Sequence, residues 1–268
     1  MRNVTVFSFQ STVLSLITPL LVGAQVILPG LVTDRPDQTE SALVVSPGWV
    51  QIETGVLWET DESGEGDVQT RVQTLRYPTT LVRIGLLDAV ELRLTGQFER
   101  ETTPSDGQDP RTPGFTGMGL GGKLRLTGPA RAGWIPETAI IAHLELTSDG
   151  EGAGGGGWSP RLILAMGRDL SDRFELGWNL GGEWESGGSG GSILYTLALG
   201  VDLGRGRAGF AEVFGTAPEG SGAALQFDLG FTNLLTQHLQ LDGSGGLALA
   251  GEAAHWFLSA GLSYRFSL

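Results

Sequence analysis

Cysteine is absent from the chain, which excludes disulfides, thiolate metal sites and a thiol nucleophile. Histidine is scarce, with only His143, His238 and His255. Positive charge is also in short supply. The 17 Lys and Arg face 30 Asp and Glu, a formal net charge of −13. Nucleic acid is therefore not an expected partner, and a polybasic membrane-surface domain is not expected either. No segment approaches about 18 uninterrupted apolar residues, so a helical membrane span is not expected. No metal-ligand cluster has a familiar spacing, and the Asp spacing of a helix-flanked calcium loop is missing. The run Gly154 to Gly157 lacks the strand-to-helix setting of a phosphate loop. The expectation is thus no cofactor, no metal and no catalytic residues.

Glycine is what the chain has in excess, at 43 of 268 residues, against a usual share of about 7%. It has no Gly-X-Y period. Gly scattered among alternating apolar and polar residues suits curved, closely packed strands and tight turns.

Residues 1–24 carry the marks of a signal peptide: Arg2, the short apolar stretch Val13 to Val22, and the small-residue site Val22-Gly23-Ala24. The alternative, a transmembrane helix, needs roughly 20 apolar residues, and Pro19 interrupts this shorter run. Cleavage is expected after Ala24. Residues 25–47 lack periodicity and read as a periplasmic leader or a plug. Its charged residues are Asp34, Arg35, Asp37 and Glu40.

From Gly48 the sequence turns to alternation with period two. In Trp49 to Glu59, Val50, Ile52, Val56 and Trp58 oppose Gln51, Glu53 and Glu59. In Val90 to Glu99, Val90, Leu92, Leu94 and Phe98 oppose Glu91, Arg93 and Gln97. Phe174 to Glu183 and Trp256 to Phe266 repeat the pattern. Strands are predicted near 48–60, 68–86, 89–100, 114–127, 136–147, 159–169, 172–184, 192–203, 206–215, 222–231, 238–249 and 253–267. That is an antiparallel up-and-down transmembrane β-barrel of about twelve strands over 48–268, an even number as in single-chain bacterial barrels. A soluble sandwich could show the same alternation around a shared core. The expected signal peptide, the strand count and the C-terminal strand favour the barrel in a Gram-negative outer membrane. Short turns at Leu87-Asp88-Ala89, Leu170-Ser171-Asp172 and Gly204-Arg205 alternate with longer loops at 61–67, 101–113, 148–158 and 185–191. Most of those loops are Gly-rich and acidic. They read as solvated tips, with divalent-cation binding as the competing reading.

Lipid offers no hydrogen bonds to the backbone, so the strands must close on themselves. The apolar face then meets lipid and lipopolysaccharide, and the polar face lines a lumen. The expected charged lining is Glu53, Arg71, Arg83, Glu91, Arg93, Lys123, Arg125, Glu145, Arg173, Glu175, Glu183 and Arg265. An Arg or Lys facing lipid at the midplane would cost about 2–4 kcal/mol. Arg76 nevertheless falls on the lipid-facing parity, and Pro78 nearby suggests a bulge or a position above the bilayer. Most of the seven Trp lie near strand ends, as an interfacial girdle would, with Trp178 deeper. A ladder for stacking sugars or aromatics is the competing reading.

Leu262, Tyr264, Phe266 and Leu268 share one face at the C-terminus. This resembles the signal read by the barrel-assembly machinery, the alternative being a plain edge strand. Three further pieces resemble a known family. They are Thr33-Asp34-Arg35-Pro36-Asp37-Gln38-Thr39-Glu40-Ser41 followed by Pro47 to Gly55, Leu81 to Leu86 running into Glu91 to Leu94, and Gly117-Met118-Gly119-Leu120-Gly121-Gly122-Lys123-Leu124. Together they resemble the outer-membrane "transporter" family, often labelled with the meta-pathway of phenol degradation. Gln38 stands where that family usually carries an aromatic residue, and Gly119-Leu120 where a Gly-Asp pair is typical. The resemblance implies a barrel for passage of small solutes, among them aromatic or hydrophobic ones.

Two alternatives stay open. One is a closed structural or adhesion barrel with a salt-bridged lumen. The other is an outer-membrane lipid hydrolase built on His143 and Glu145, although nothing identifies its nucleophile.

Overall fold

The computed structural model describes residues 30–63, 70–102, 114–128, 135–147, 157–186, 190–251 and 253–268. The expected signal peptide, the tips of the longer loops and Trp134 lie outside the described residues. Twelve antiparallel strands form one closed barrel. They are β1 (Trp49–Ser63), β2 (Thr70–Leu87), β3 (Val90–Thr102), β4 (Gly114–Thr127), β5 (Glu137–Thr147) and β6 (Trp158–Asp169). Then follow β7 (Phe174–Trp184), β8 (Gly191–Gly204), β9 (Arg207–Pro218), β10 (Ala224–Thr236), β11 (Leu239–Ala250) and β12 (Trp256–Ser267). Each strand pairs with its sequence neighbours, and β1 pairs with β12 from Trp49↔Ser267 to Thr60↔Trp256. Closure leaves no free edge, so every ladder is satisfied without water.

The chain termini of the barrel and the short turns share one end. There β8 and β9 are joined by Arg205 and Gly206, with φ of 58° and 74°. Two successive positive φ values match the right-handed strand twist and close a two-residue hairpin. Most of the longer connections lie at the other end, the usual asymmetry of outer-membrane barrels, although the β4–β5 connection over 128–136 lies with the short turns.

Alternation sorts the side chains as lipid requires. Leu94, Leu120, Leu144, Leu162, Leu180 and Leu258 point out and are exposed, as is expected of a surface meant for hydrocarbon. Gln51, Glu53, Arg83, Glu91, Arg93 and Lys123 point in and are at most 2% exposed. Trp58, Trp158, Trp184 and Trp256 ring the long-loop end on the outer face, where an indole meets both lipid and headgroup. Trp58 packs edge-on against Trp256 at 4.9 Å. Trp49 departs from the girdle: it stacks on His238 at 5.5 Å with Arg265 over its ring, at the short-turn mouth.

Register shifts interrupt the ladders at several points, and the one at Tyr77-Pro78 changes the direction of charged side chains. The register slips at Arg76/Thr79 and Gly55/Leu57, because Tyr77-Pro78 cannot complete the ladder. The bulge turns Arg76 inward, where it pairs with Glu59 and Glu99, each at 2.7 Å. The same slip corrects the expectation for Arg71. Counting from Thr74 and Arg76, its parity is outward, and it is exposed beyond the bulge. On β10 the strand runs to Thr236, past the expected end at 231. A bulge at Leu234/Thr236 inserts an extra residue and breaks the alternation there.

On β9 the polarity rule is locally inverted, since Phe210 and Phe214 share the inward face with Glu212. Phe210 lies over Gly230, its register partner on β10, where an added Cβ would collide with the ring. Gly243 on β11 faces outward, and a Cβ there would meet only a carbonyl at 3.4 Å. Gly230→Val is therefore expected to destabilise the folded barrel by about 1–3 kcal/mol, and Gly243→Val by clearly less. Urea unfolding in detergent micelles measures both, and equal losses would contradict the ring-over-glycine packing.

Candidate functional site

Residues 30–47 run through the lumen rather than along the barrel's outside, and their contacts reach strands on opposite walls. Against β1 to β4 lies a cluster of buried charge. Arg83 reaches Glu91 at 2.8 Å, Glu53 at 3.1 Å and Asp34 at 3.1 Å. Arg93 reaches Asp34 at 2.6 Å, Glu91 at 3.0 Å and Glu40 at 2.7 Å. Lys123 completes the set, 2.9 Å from Asp34. One leader carboxylate thus joins three cations from three consecutive strands. The leader backbone is bound to the same groups: the Asp34 N–H donates to Glu53 and the Val45 N–H to Glu91. Arg83 and Lys123 both donate to the Leu43 carbonyl.

Elsewhere around the barrel the contacts are of other kinds. Arg35 donates to Asp242, Ser259 and Thr79. Its guanidinium lies against Gly55 and Gly261, a register pair at which a Cβ would occupy the same space. The Gln38 N–H donates to Glu212 at 2.8 Å, and Thr39 bonds both Glu212 and Thr196. Asn179 holds the Glu40 backbone through both its amide groups.

The leader divides the lumen. On the long-loop side are two cavities of about 390 and 380 Å³. On the short-turn side are two of about 350 and 260 Å³. Asp37 lines three of these, so the Asp34 to Gln38 segment is the septum between them. The cavity beside β6 to β10 is amphipathic. Ile163, Leu194 and Phe214 form an apolar wall, and Asp37, Glu40, Arg161, Glu183 and Gln226 form a polar one.

Burial and neighbouring charge set the state of the leader carboxyls. Burial opposes the charged form of Asp34, but Arg83, Lys123 and Arg93 outweigh it and hold the group well below the usual carboxylate range. Asp37 lies well above that range, through burial and then the charge of Glu212. Burial raises Glu40 as well. Arg93 offsets this only in part and Asp34 adds to it, leaving Glu40 at about 7.

Of the residues expected to line the lumen, Glu53, Arg83, Glu91, Arg93 and Lys123 meet in one cluster with Asp34 and Glu40. Glu145 and Glu183 lie nearer the long loops and flank Arg161, at 3.8 and 2.9 Å. Arg125 donates to the Asp88 carbonyl at the short-turn mouth, and Arg265 to the carbonyls of Gly30 and Gln237. Glu175 is exposed at that mouth, and Arg173 sits in the β6–β7 turn rather than on a strand. Sequence reasoning missed Arg161, Glu212, Asp228 and Asp242. Each alternates in register with inward neighbours, a signal obscured on β9 by Phe210 and Phe214. His143, the centre of the hydrolase alternative, accepts from Arg93 Nε at 3.0 Å through its Nε2. That nitrogen is engaged by a cation rather than by a serine. Among the described residues no group of three or more His, Asp or Glu is placed to hold a metal ion.

Residues 33–266 match the family described as "Putative MetA-pathway of phenol degradation", and the chain belongs to that family. Among solved structures it is similar to an outer membrane channel from Pseudomonas putida F1. The two are 16% identical, with 84% of this chain and 97% of that one covered and a TM-score of 0.60. It is also similar to the transport unit of the autotransporter AIDA-I from Escherichia coli. Here identity is 11%, coverage is 82% and 90%, and the TM-score is 0.51. Both likenesses concern the fold. No curated protein matches the chain.

Removing Asp34 takes the shared carboxylate from three buried cations and leaves them Glu53, Glu91 and Glu40 alone among the described residues. Asp34→Asn is expected to destabilise the folded protein by about 3–5 kcal/mol at neutral pH, read by urea unfolding. The folded-state group lies below its unfolded value. Its contribution is therefore full above the ordinary carboxylate range and lost as pH falls through the lowered value. The gap between wild type and variant should close only in strong acid, and a gap already closed near pH 4 would contradict the cluster.

Proposed function

We propose that this member of the family is an outer-membrane channel for passive passage of small solutes, aromatic or hydrophobic ones among them, with residues 30–47 acting as its plug. The observation that carries the reading is the single peptide segment, Asp34 to Gln38, that separates cavities on the two sides of the barrel. Nothing else among the described residues crosses the lumen at that level. The amphipathic cavity above it suits a small ring with one polar substituent, which accords with the family's link to phenol degradation. The signal peptide over 1–24 and export to the outer membrane belong to the same reading. So do contact of the outward Leu, Phe and Trp with lipid and lipopolysaccharide, and recognition of β12 by the barrel-assembly machinery. The outward row Leu262, Tyr264 and Phe266 supports that last point.

The closed structural barrel also has an observation in its favour, namely the density of buried ion pairs between β2, β3 and the leader. Hydrolysis has less support, since His143 is committed to Arg93.

Planar-bilayer conductance of the full chain and of a variant lacking residues 25–46 distinguishes plugged channel from closed barrel. A larger and longer-lived open state is expected in the deletion variant. Equal conductance, or none in either protein, would contradict a plugged channel.

A further inference from the structure

Opposite the Asp34 cluster, the leader rests on a second set of carboxyls that no cation among the described residues neutralises. Glu212 on β9 and Asp228 on β10 are register partners on the inward face, 1% and 0% exposed. Like charges directly opposite across a ladder repel, and two buried carboxylates cannot both stay ionised cheaply. Their hydrogen bonding is unequal. Glu212 accepts the Gln38 N–H with Oε2 and the Thr39 hydroxyl with Oε1. Asp228 is sealed from water, and neither of its oxygens has a donor. The polar group within its reach is Glu212 itself.

The surroundings offer no other donor of charge. Around the pair, β8 presents Thr196 and Ala198, β7 presents Asn179, and β11 presents Gly246, Ser244 and Asp242, none of them a cation. Arg35 is the nearest leader cation, and it is committed to Asp242. Asp34 and Glu40 point to the other wall, and Asp37 adds a third carboxyl from above, held well above the usual range by burial and by Glu212.

We propose that Asp228 and Glu212 share one proton, and that this proton latches the leader to the β9–β10 wall. Asp228 is the acid, and its O–H donates to Glu212. Glu212 is the carboxylate, and its charge binds the Gln38 N–H and the Thr39 hydroxyl. Loss of the proton to water leaves two facing anions beneath Asp37, and the repulsion lifts Gln38 and Thr39 off the wall. The leader then keeps the Asp34 cluster, Arg35 and the Asn179 and Gln240 contacts, and loses its hold on the β9–β10 wall. On the channel reading above, on which the gating part of this proposal rests, the pore is closed at acid pH and opens as pH rises.

The proton and its effect are tested separately. Infrared spectra of the full chain in lipid are expected to show a protonated carboxyl persisting at mildly alkaline pH. Asp228→Asn should lose one carboxyl's share of that band. An unchanged band in the variant, or no such band in wild type near neutrality, overturns the shared proton whether or not the protein conducts. Conductance then reads the latch. In wild type it should rise as pH is raised from acid to alkaline. Asp228→Asn, which keeps a permanent donor of the same shape, should stay at the acid-side value throughout. Glu212→Gln also removes the shared proton, but its amide nitrogen cannot accept from Gln38 or Thr39, so it should flatten the profile at a more open value than Asp228→Asn. Identical pH profiles in wild type and variants overturn the latch, because Glu40 or the Asp34 cluster would then account for the dependence.

Discussion

One carboxylate, that of Asp34, holds the interior of this barrel together. It lies within 3.1 Å of Arg83, Arg93 and Lys123, which come from β2, β3 and β4. Three cations buried in adjacent strands of a lumen would repel one another and would lack hydration. Glu53 and Glu91 answer part of that cost, and the leader supplies the rest. The leader is therefore a structural member of the wall, even though it belongs to no strand. Buried ion pairs of this kind are weak evidence for net stability, and they are well suited to fixing one arrangement over others.

The leader's own sequence is divided to match. Asp34 and Glu40 go to the basic side of the lumen, whereas Arg35 goes to Asp242 on the far side, passing over Gly55 and Gly261 where no side chain stands in its way. With the leader removed, the same lumen would set a wall rich in Arg and Lys against one carrying Glu212, Asp228 and Asp242. A transverse field of that form orients polar solutes in a narrow pore. The apolar exterior contributes nothing to this selectivity. It fixes where the cylinder lies, through outward Leu residues and the Trp ring at the long-loop end.

Much of the fold was legible because lipid enforces a simple rule. A strand that meets hydrocarbon on one side and a polar lumen on the other writes its orientation into every second residue, as Trp49 to Glu59 and Val90 to Glu99 do. Glu53, Arg83, Glu91, Arg93 and Lys123 were placed inward from that rule alone. The rule failed where local geometry overrode it. The Tyr77-Pro78 bulge reversed the parity of Arg71 and Arg76. On β9, Phe210 fits inward because Gly230 leaves room for its ring, so the apolar face no longer marks the lipid side and Glu212 went unread. What the leader does had no such periodic signal. Asp34, Arg35, Asp37 and Glu40 are recognisable as a charged, Pro-containing segment, but their partners lie as far as 224 residues away and are set by barrel closure.

Hydrogen exchange of the lipid-embedded protein at the amides of Asp34, Ser41 and Val45 is the most direct measurement. These N–H groups donate to Glu53, Asp34 and Glu91 within the lumen. Exchange as slow as that of the neighbouring strand amides is expected if the charge cluster holds the leader inside the barrel. Exchange at the rate of a free chain would show that the leader is not held there, and would contradict the central role of Asp34.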